Sequence, residues 1–213
     1  MEPDELIEVA ALCEAELRPL DDRDWSVRAG ELDWSCRDTL EHLCSLAYPS
    51  VLATRSTSFR PVALRVDSGA SIDELLWTMR AGAHVLAEVA RAAPPTVRAF
   101  HPAGMADPSG FVAMEADELL VHAHDIASRL GSSFRPPDDL ARGVLDRLFP
   151  WWPTDVEPWP ALLWANGRAP LLGHQDQGAE WLWHCAPVEE WDGAVPRWDP
   201  ITQQRAQDGD RGL

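Results

Sequence analysis

The sequence predicts a mainly α-helical protein: an up-down four-helix bundle, one extra helix, and an irregular C-terminal lobe rich in tryptophan and proline. Two observations carry this. Apolar residues recur at helical spacing in four successive segments before residue 132. Beyond Phe149 that periodicity is lost, and residues 150–200 hold eight of the eleven tryptophans among many prolines. A disordered tail lacks such aromatics, so the lobe is expected to be irregular and packed. The chain divides accordingly into a bundle at 1–132 and a helix plus lobe at 133–213 that packs on it.

The first helix is expected from Asp4 to Leu17, where Leu6, Val9, Ala10, Cys13 and Leu17 share a face and Pro19 stops the run. Trp25 and Trp34 lie in the loop that follows. Ser35, with Asp38 three residues on, reads as an N-cap with an acidic first turn. Leu40, Leu43, Leu46 and Ala47 continue that second helix until Pro49 ends or kinks it. Residues 55–70 show no period and read as a long crossover. Ser71 and Glu74 form a capping box for the third helix, which Pro94-Pro95 terminates. Phe100 to Gly104 is a turn-rich connection. The fourth helix spans about Gly110 to Leu130, with Gly131 as its stop, and a fifth runs from Pro137 to Leu148. Short strands are expected around Ala161–Ala165 and Trp181–His184, and a frayed tail from Thr202.

Charge excludes several functions. The chain carries 35 acidic and 18 basic residues, a net charge of -17, so phosphate backbones and anionic membranes repel it. No apolar run is long enough to span a bilayer. The opening Met1-Glu2-Pro3-Asp4-Glu5 lacks the basic-then-apolar layout of an export signal, which points to the cytoplasm. The four cysteines at 13, 36, 44 and 185 form no C-x-x-C pair and are expected as reduced thiols. All basic residues are arginine, a coding bias of GC-rich bacterial genomes. Neither a G-x-S-x-G elbow nor a phosphate-binding glycine loop is present.

The fourth helix carries the chemistry. On a helical wheel Glu115, Glu118, His122, Asp125 and Arg129 fall in one narrow stripe bracketed by apolar residues, with Asp117, His124 and Ser128 on the expected solvent side. Glu118 and His122, spaced i, i+4, can reach one point beside the helix. A carboxylate and an imidazole suit zinc or a similar divalent ion, and His42 on the second helix is the best third ligand. The alternative is an ordinary helix-stabilising Glu–His pair with a structural His42. Asp125 is either a partner that orients His122 or a salt bridge to Arg129. Glu115 is either a general base or an acid favoured by the helix dipole. Cys36 and Cys44 point away from His42 and read as buried thiols. His84 reads as a core histidine, and His101, His174 and His184 lie in irregular segments. The tryptophan lobe either lines a pocket mouth or only packs an irregular region.

Two stretches resemble the DinB-like superfamily, and more narrowly the mycothiol-dependent maleylpyruvate isomerase family of actinobacteria. The first is Trp34-Ser35-Cys36-Arg37-Asp38-Thr39-Leu40-Glu41-His42-Leu43. The second runs from Gly110 through Glu118-Leu119-Leu120-Val121-His122 to Asp125-Ile126-Ala127. The resemblance covers about residues 5–132. It implies a four-helix bundle holding a divalent metal on His42, Glu118 and His122, with open positions for water or a substrate thiol. It also implies mycothiol as cofactor. The expected activity is isomerisation or S-transfer on a small electrophile by a cytoplasmic enzyme, a monomer or homodimer. Ala165-Asn166-Gly167-Arg168 is similar to a glycine-arginine motif in that family's C-terminal lobe, but the lengths differ and the role is not transferred. A metal-dependent hydrolase and a non-catalytic small-molecule or metal binder remain as alternatives.

Overall fold

A computed structural model describes residues 1–58, 66–178 and 180–198. It is mainly helical, with a single two-stranded sheet among the described residues. Helix α1 (Pro3–Leu17) starts from a Glu2–Glu5 capping box, and the 3-10 turn Arg18–Leu20 extends it. Helix α2 (Cys36–Leu43) starts from the reciprocal Ser35–Asp38 box, and α4 (Ile72–Ala92) from the Ser71–Glu74 box. Helix α5 (Pro108–Arg129) is capped by Asp107, whose carboxylate accepts from Gly110 N at 3.1 Å.

The expected second helix is two helices. It breaks at Cys44–Leu46, and α3 (Ala47–Thr54) begins anew. Pro49 explains the position of the break. A proline has no N–H and its ring collides with the carbonyl four residues back, so an unbroken helix cannot pass Ser45. Pro49 instead occupies the first turn of α3, where its missing donor costs nothing.

The Phe100–Gly104 connection is a β-hairpin, with β1 (Ala99–His101) antiparallel to β2 (Gly104–Ala106) and Phe100 opposite Met105. Helix α6 (Asp138–Leu148) follows as expected. The Ala161–Ala165 segment is helical, not a strand, as part of α7 (Pro158–Ala165). Pro158 opens α7, and Trp159, Leu162 and Trp164 bury different sides of it. Trp181 forms only an isolated bridge with Arg197 rather than a strand through His184. The central part of the expected 55–70 crossover and the tail from Thr202 lie outside the described residues.

Helix α1 packs on α4 and α5, and both α2 and α3 also pack on α4 and α5, so the broken pair stands where one helix was expected. Helix α6 packs on α5 and on α7. This last layer corrects the expected solvent side of α5. Asp117 is buried, with its carboxylate accepting from Asn166 Nδ2 at 2.9 Å and Trp183 Nε1 at 2.8 Å. His124 is half-buried against the Trp159 ring. Of the three, only Ser128 is exposed.

One arginine ties the lobe to the bundle. Arg147 of α6 pairs with Asp107 and donates to Ser109 Oγ (2.9 Å), His184 O (3.2 Å) and Cys185 O (3.0 Å). Gly110 permits this junction, since a Cβ there would lie 2.6 Å from Arg147 Nη2 and 2.7 Å from Cys185 O.

Candidate metal centre

The α2 capping box fixes the helix that presents His42, and the long regular α5 presents Glu118 and His122 one turn apart. Their Nε2, carboxylate and Nε2 atoms all lie within 4.8 Å of one another. Both imidazoles address the same oxygen, Glu118 Oε2, at 3.4 Å from His42 and 3.0 Å from His122. The three residues form a group that can hold a metal ion. The spacing fits the chemistry: two ligand atoms at about 2.0–2.1 Å from a tetrahedral ion stand about 3.3 Å apart. Trp34 covers the outer side of His42, with ring centroids 5.1 Å apart.

The electrostatics agree with a site built for positive charge. Burial alone would lift the Glu118 carboxyl, but hydrogen bonds and charge from His122 and His42 hold it well below the usual carboxylate range. Burial would depress His122, yet its bonds to Asp125 and Glu118 outweigh this and hold it up at about 9. Each His122 nitrogen faces a carboxylate, so a cation is required between Nε2 and Glu118. A proton or a divalent ion satisfies that requirement equally in kind.

Asp125 orients His122, accepting from Nδ1 at 3.3 Å. Its expected alternative partner, Arg129, forms no ion pair with it; Arg168 does, at 3.1 Å from Nη2. Burial pushes the Asp125 carboxyl up, and His122 and Arg168 together bring it below its ordinary range. Gly30 N donates to Asp125 O at 3.1 Å, and at φ +51°, where a Cβ would lie only 2.9 Å from Asp125 Oδ1, position 30 needs glycine. Arg168 and Gly30 are partners that sequence spacing could not supply.

Glu115 lies two turns into α5, not in its first turn, so the helix-dipole reading of this acid is corrected. It is 7% exposed and makes no hydrogen bond to a described residue. Burial, aided by the Glu118 charge, pushes its carboxyl up to about 8. Burial likewise pushes the Cys36 thiol up to about 11 and Cys44 to about 12, which makes both poor metal ligands. His84, His174 and His184 stand outside the three-residue group.

Three hollows meet at Glu118. One of about 330 Å³ opens on the side of Leu32, Asp33 and Trp34. A small one of about 100 Å³ is lined by Asn166, Arg168, Trp181 and Trp183. The third, about 270 Å³, runs between α2, α3 and the β1–β2 hairpin and reaches Glu115. Tyr48 and His101, not singled out as site residues from the sequence, line it. Of the lobe's tryptophans, Trp181 and Trp183 border the centre, while Trp152, Trp159 and Trp164 are buried packing residues. No described helix is long and apolar enough to cross a membrane. Protein-family models, curated proteins and solved structures were each compared with the chain, and none matches it.

Proposed function

We propose that the chain is a cytoplasmic metal-dependent enzyme of the DinB-like, mycothiol-dependent maleylpyruvate isomerase type, which uses a low-molecular-weight thiol to isomerise or S-transfer a small electrophile. The observation that carries this reading is the convergence of His42, Glu118 and His122 on one point, with solvent-reachable space on more than one side. Zinc suits two imidazoles and a carboxylate, and three protein ligands leave a position open, as in catalytic rather than structural zinc sites. When bound, such an ion favours the thiolate form of a ligating thiol near neutral pH.

The chain's own residues supply the rest. Asp125, itself fixed by Arg168, holds the His122 ring with Nδ1 protonated, so Nε2 is directed at the shared point. Glu118 offers a charged oxygen there, and Trp34 restricts the swing of His42. The hollow beside Trp34 suits a polar thiol entering from solvent, and the one reaching Glu115 suits the second reactant. Four free, buried cysteines suit a reducing compartment.

The test is cobalt substitution followed by titration with mycothiol. The reading expects a sulfur-to-cobalt charge-transfer band that His42→Ala abolishes, with a change in indole fluorescence. A stoichiometrically loaded cobalt protein that shows neither at millimolar thiol overturns the thiol reading and leaves hydrolysis or simple binding.

A further inference from the structure

The 270 Å³ hollow has a polarity that the metal ligands do not explain. Most of its wall surface is apolar, and Leu43, Ala47 and Pro102 contribute to it. Besides His42 and Glu118, its polar groups are Ser45 between α2 and α3, Tyr48 on α3, His101 on the hairpin and Glu115 on α5.

The hydrogen bonds fix the direction of the tyrosine proton. Ala103 N–H donates to His101 Nδ1 at 3.1 Å, so Nδ1 is an acceptor and the ring hydrogen sits on Nε2. His101 Nε2 then donates to Tyr48 Oη at 3.4 Å. Tyr48 Oη is thereby occupied as an acceptor, and its own O–H hydrogen is free to donate. Burial keeps His101 neutral by pushing it down to about 4, and pushes the Tyr48 phenol well above its ordinary value, so this arrangement persists across neutral pH. Glu115 is the second unspent group. It is more than nine-tenths buried, faces the same hollow, and has no hydrogen-bond partner among the described residues. Its carboxyl opens onto the hollow, where a ligand atom can take the hydrogen bond that no described protein group takes.

We propose that this hollow is the electrophile subsite, and that it selects a small uncharged carbonyl compound whose oxygen accepts hydrogen bonds from Tyr48 and Glu115 while its apolar body packs on Leu43, Ala47 and Pro102. The assignment as an electrophile rests on the thiol-enzyme reading, but the subsite itself stands on the geometry of the hollow. An anionic ligand is disfavoured, because the ionised Glu118 lines the space, the protonated Glu115 brings no positive charge, and no described arginine lines it. The substrate class is therefore a ketone, aldehyde, enone or amide rather than a dicarboxylate. His42 and Glu118 also line the hollow, so a ligand held there is adjacent to the metal-ligating group.

Tyr48 is the chain's one tyrosine, so a carbon label on its phenol yields one resonance that reports on this hollow alone. The experiment titrates labelled full-length protein with three probes of matched shape: cyclohexyl methyl ketone, cyclohexanecarboxylate and cyclohexylammonium. Metal content is measured on each sample, and the series is repeated after metal removal. The proposal expects a saturable shift with the ketone, and weak or no response to either ion. Ligand-observed NMR should show ketone affinity falling about three- to tenfold in Tyr48→Phe, the loss of one neutral hydrogen bond. Glu115→Leu should fall similarly, and Glu115→Gln, which keeps a donor, should stay within about threefold. Carboxylate or ammonium binding as tightly as the ketone, no ketone binding, or unchanged affinity in Tyr48→Phe would each overturn it. Ketone binding to a protein that takes up no metal supports the subsite and sinks only the metalloenzyme reading. Full metal loading without ketone binding does the reverse.

Discussion

Replacing Glu115 with glutamine should stabilise the protein, and more so as the pH rises. The carboxyl is held up at about 8 by burial and by the Glu118 charge, whereas it titrates near 4.5 in the unfolded chain. Its neighbours across the hollow are His42, Tyr48 and His101, with the Cys44 thiol and Glu118 also close enough to act on it or be acted on by it. A native pKa above the unfolded one contributes stability below 4.5 that is lost as pH rises through about 8. Glutamine is neutral throughout and keeps the shape. Full use of the window is worth up to about 5 kcal/mol, at about 1.4 kcal/mol per pH unit, and relaxation around the hollow reduces that to about 2–5 kcal/mol. The assay is urea unfolding of metal-stripped wild type and Glu115→Gln from about pH 5.5 to 8.5, which avoids the sequence pI near 4.6, where net repulsion vanishes. The advantage of the variant should grow by about 1–3 kcal/mol across that range. A constant difference, or a variant less stable at the alkaline end, would refute the burial argument.

Other outcomes follow from the same contacts. Asp125→Asn should weaken metal affinity about 10- to 100-fold in a competition titration, because the group that orients His122 loses its charge. Metal affinity should weaken progressively as pH drops below about 9, since the ion must displace the proton that His122 holds up to there, and the melting temperature of the metal-loaded protein should fall with it. Arg147→Ala leaves Asp107 buried without its partner and should cost about 3–5 kcal/mol in denaturant unfolding. Gly110→Ala forces a methyl against the Cys185 carbonyl at 2.7 Å, and should destabilise by about 1–3 kcal/mol.

Sequence signals are legible where the physics behind them is local. The Ser35 and Ser71 caps, the Pro94-Pro95 stop and the Gly131 terminus each act within a turn, and the structure places helix ends beside all of them. The break before Pro49 was readable in kind but not in place, because the collision falls on the carbonyl four residues upstream. The segment from Pro158 to Ala165 is apolar on all sides, so it lacks a period that separates a short buried helix from a strand. The wheel located Glu118 and His122 because their stripe depends only on helical spacing. It misplaced Asp117 and His124 because their cover comes from Asn166, Trp183 and Trp159, far along the chain. The partner of Asp125 shows the same limit: spacing suggests Arg129, one turn away, while the structure uses Arg168 from the lobe. Tyr48 and His101 come together only through the packing of α3 on the hairpin, which no periodicity reports.

The central claim is that His42, Glu118 and His122 hold one metal ion. Elemental analysis of protein purified without added metal or chelator, alongside His42→Ala, His122→Ala and His124→Ala, tests it most directly. The account predicts close to one divalent ion per wild-type chain, sharp loss in the first two variants, and full retention in His124→Ala, whose ring packs on Trp159 instead. Wild-type protein that takes up no divalent ion even when it is supplied, or equal loss from all three variants, would contradict it.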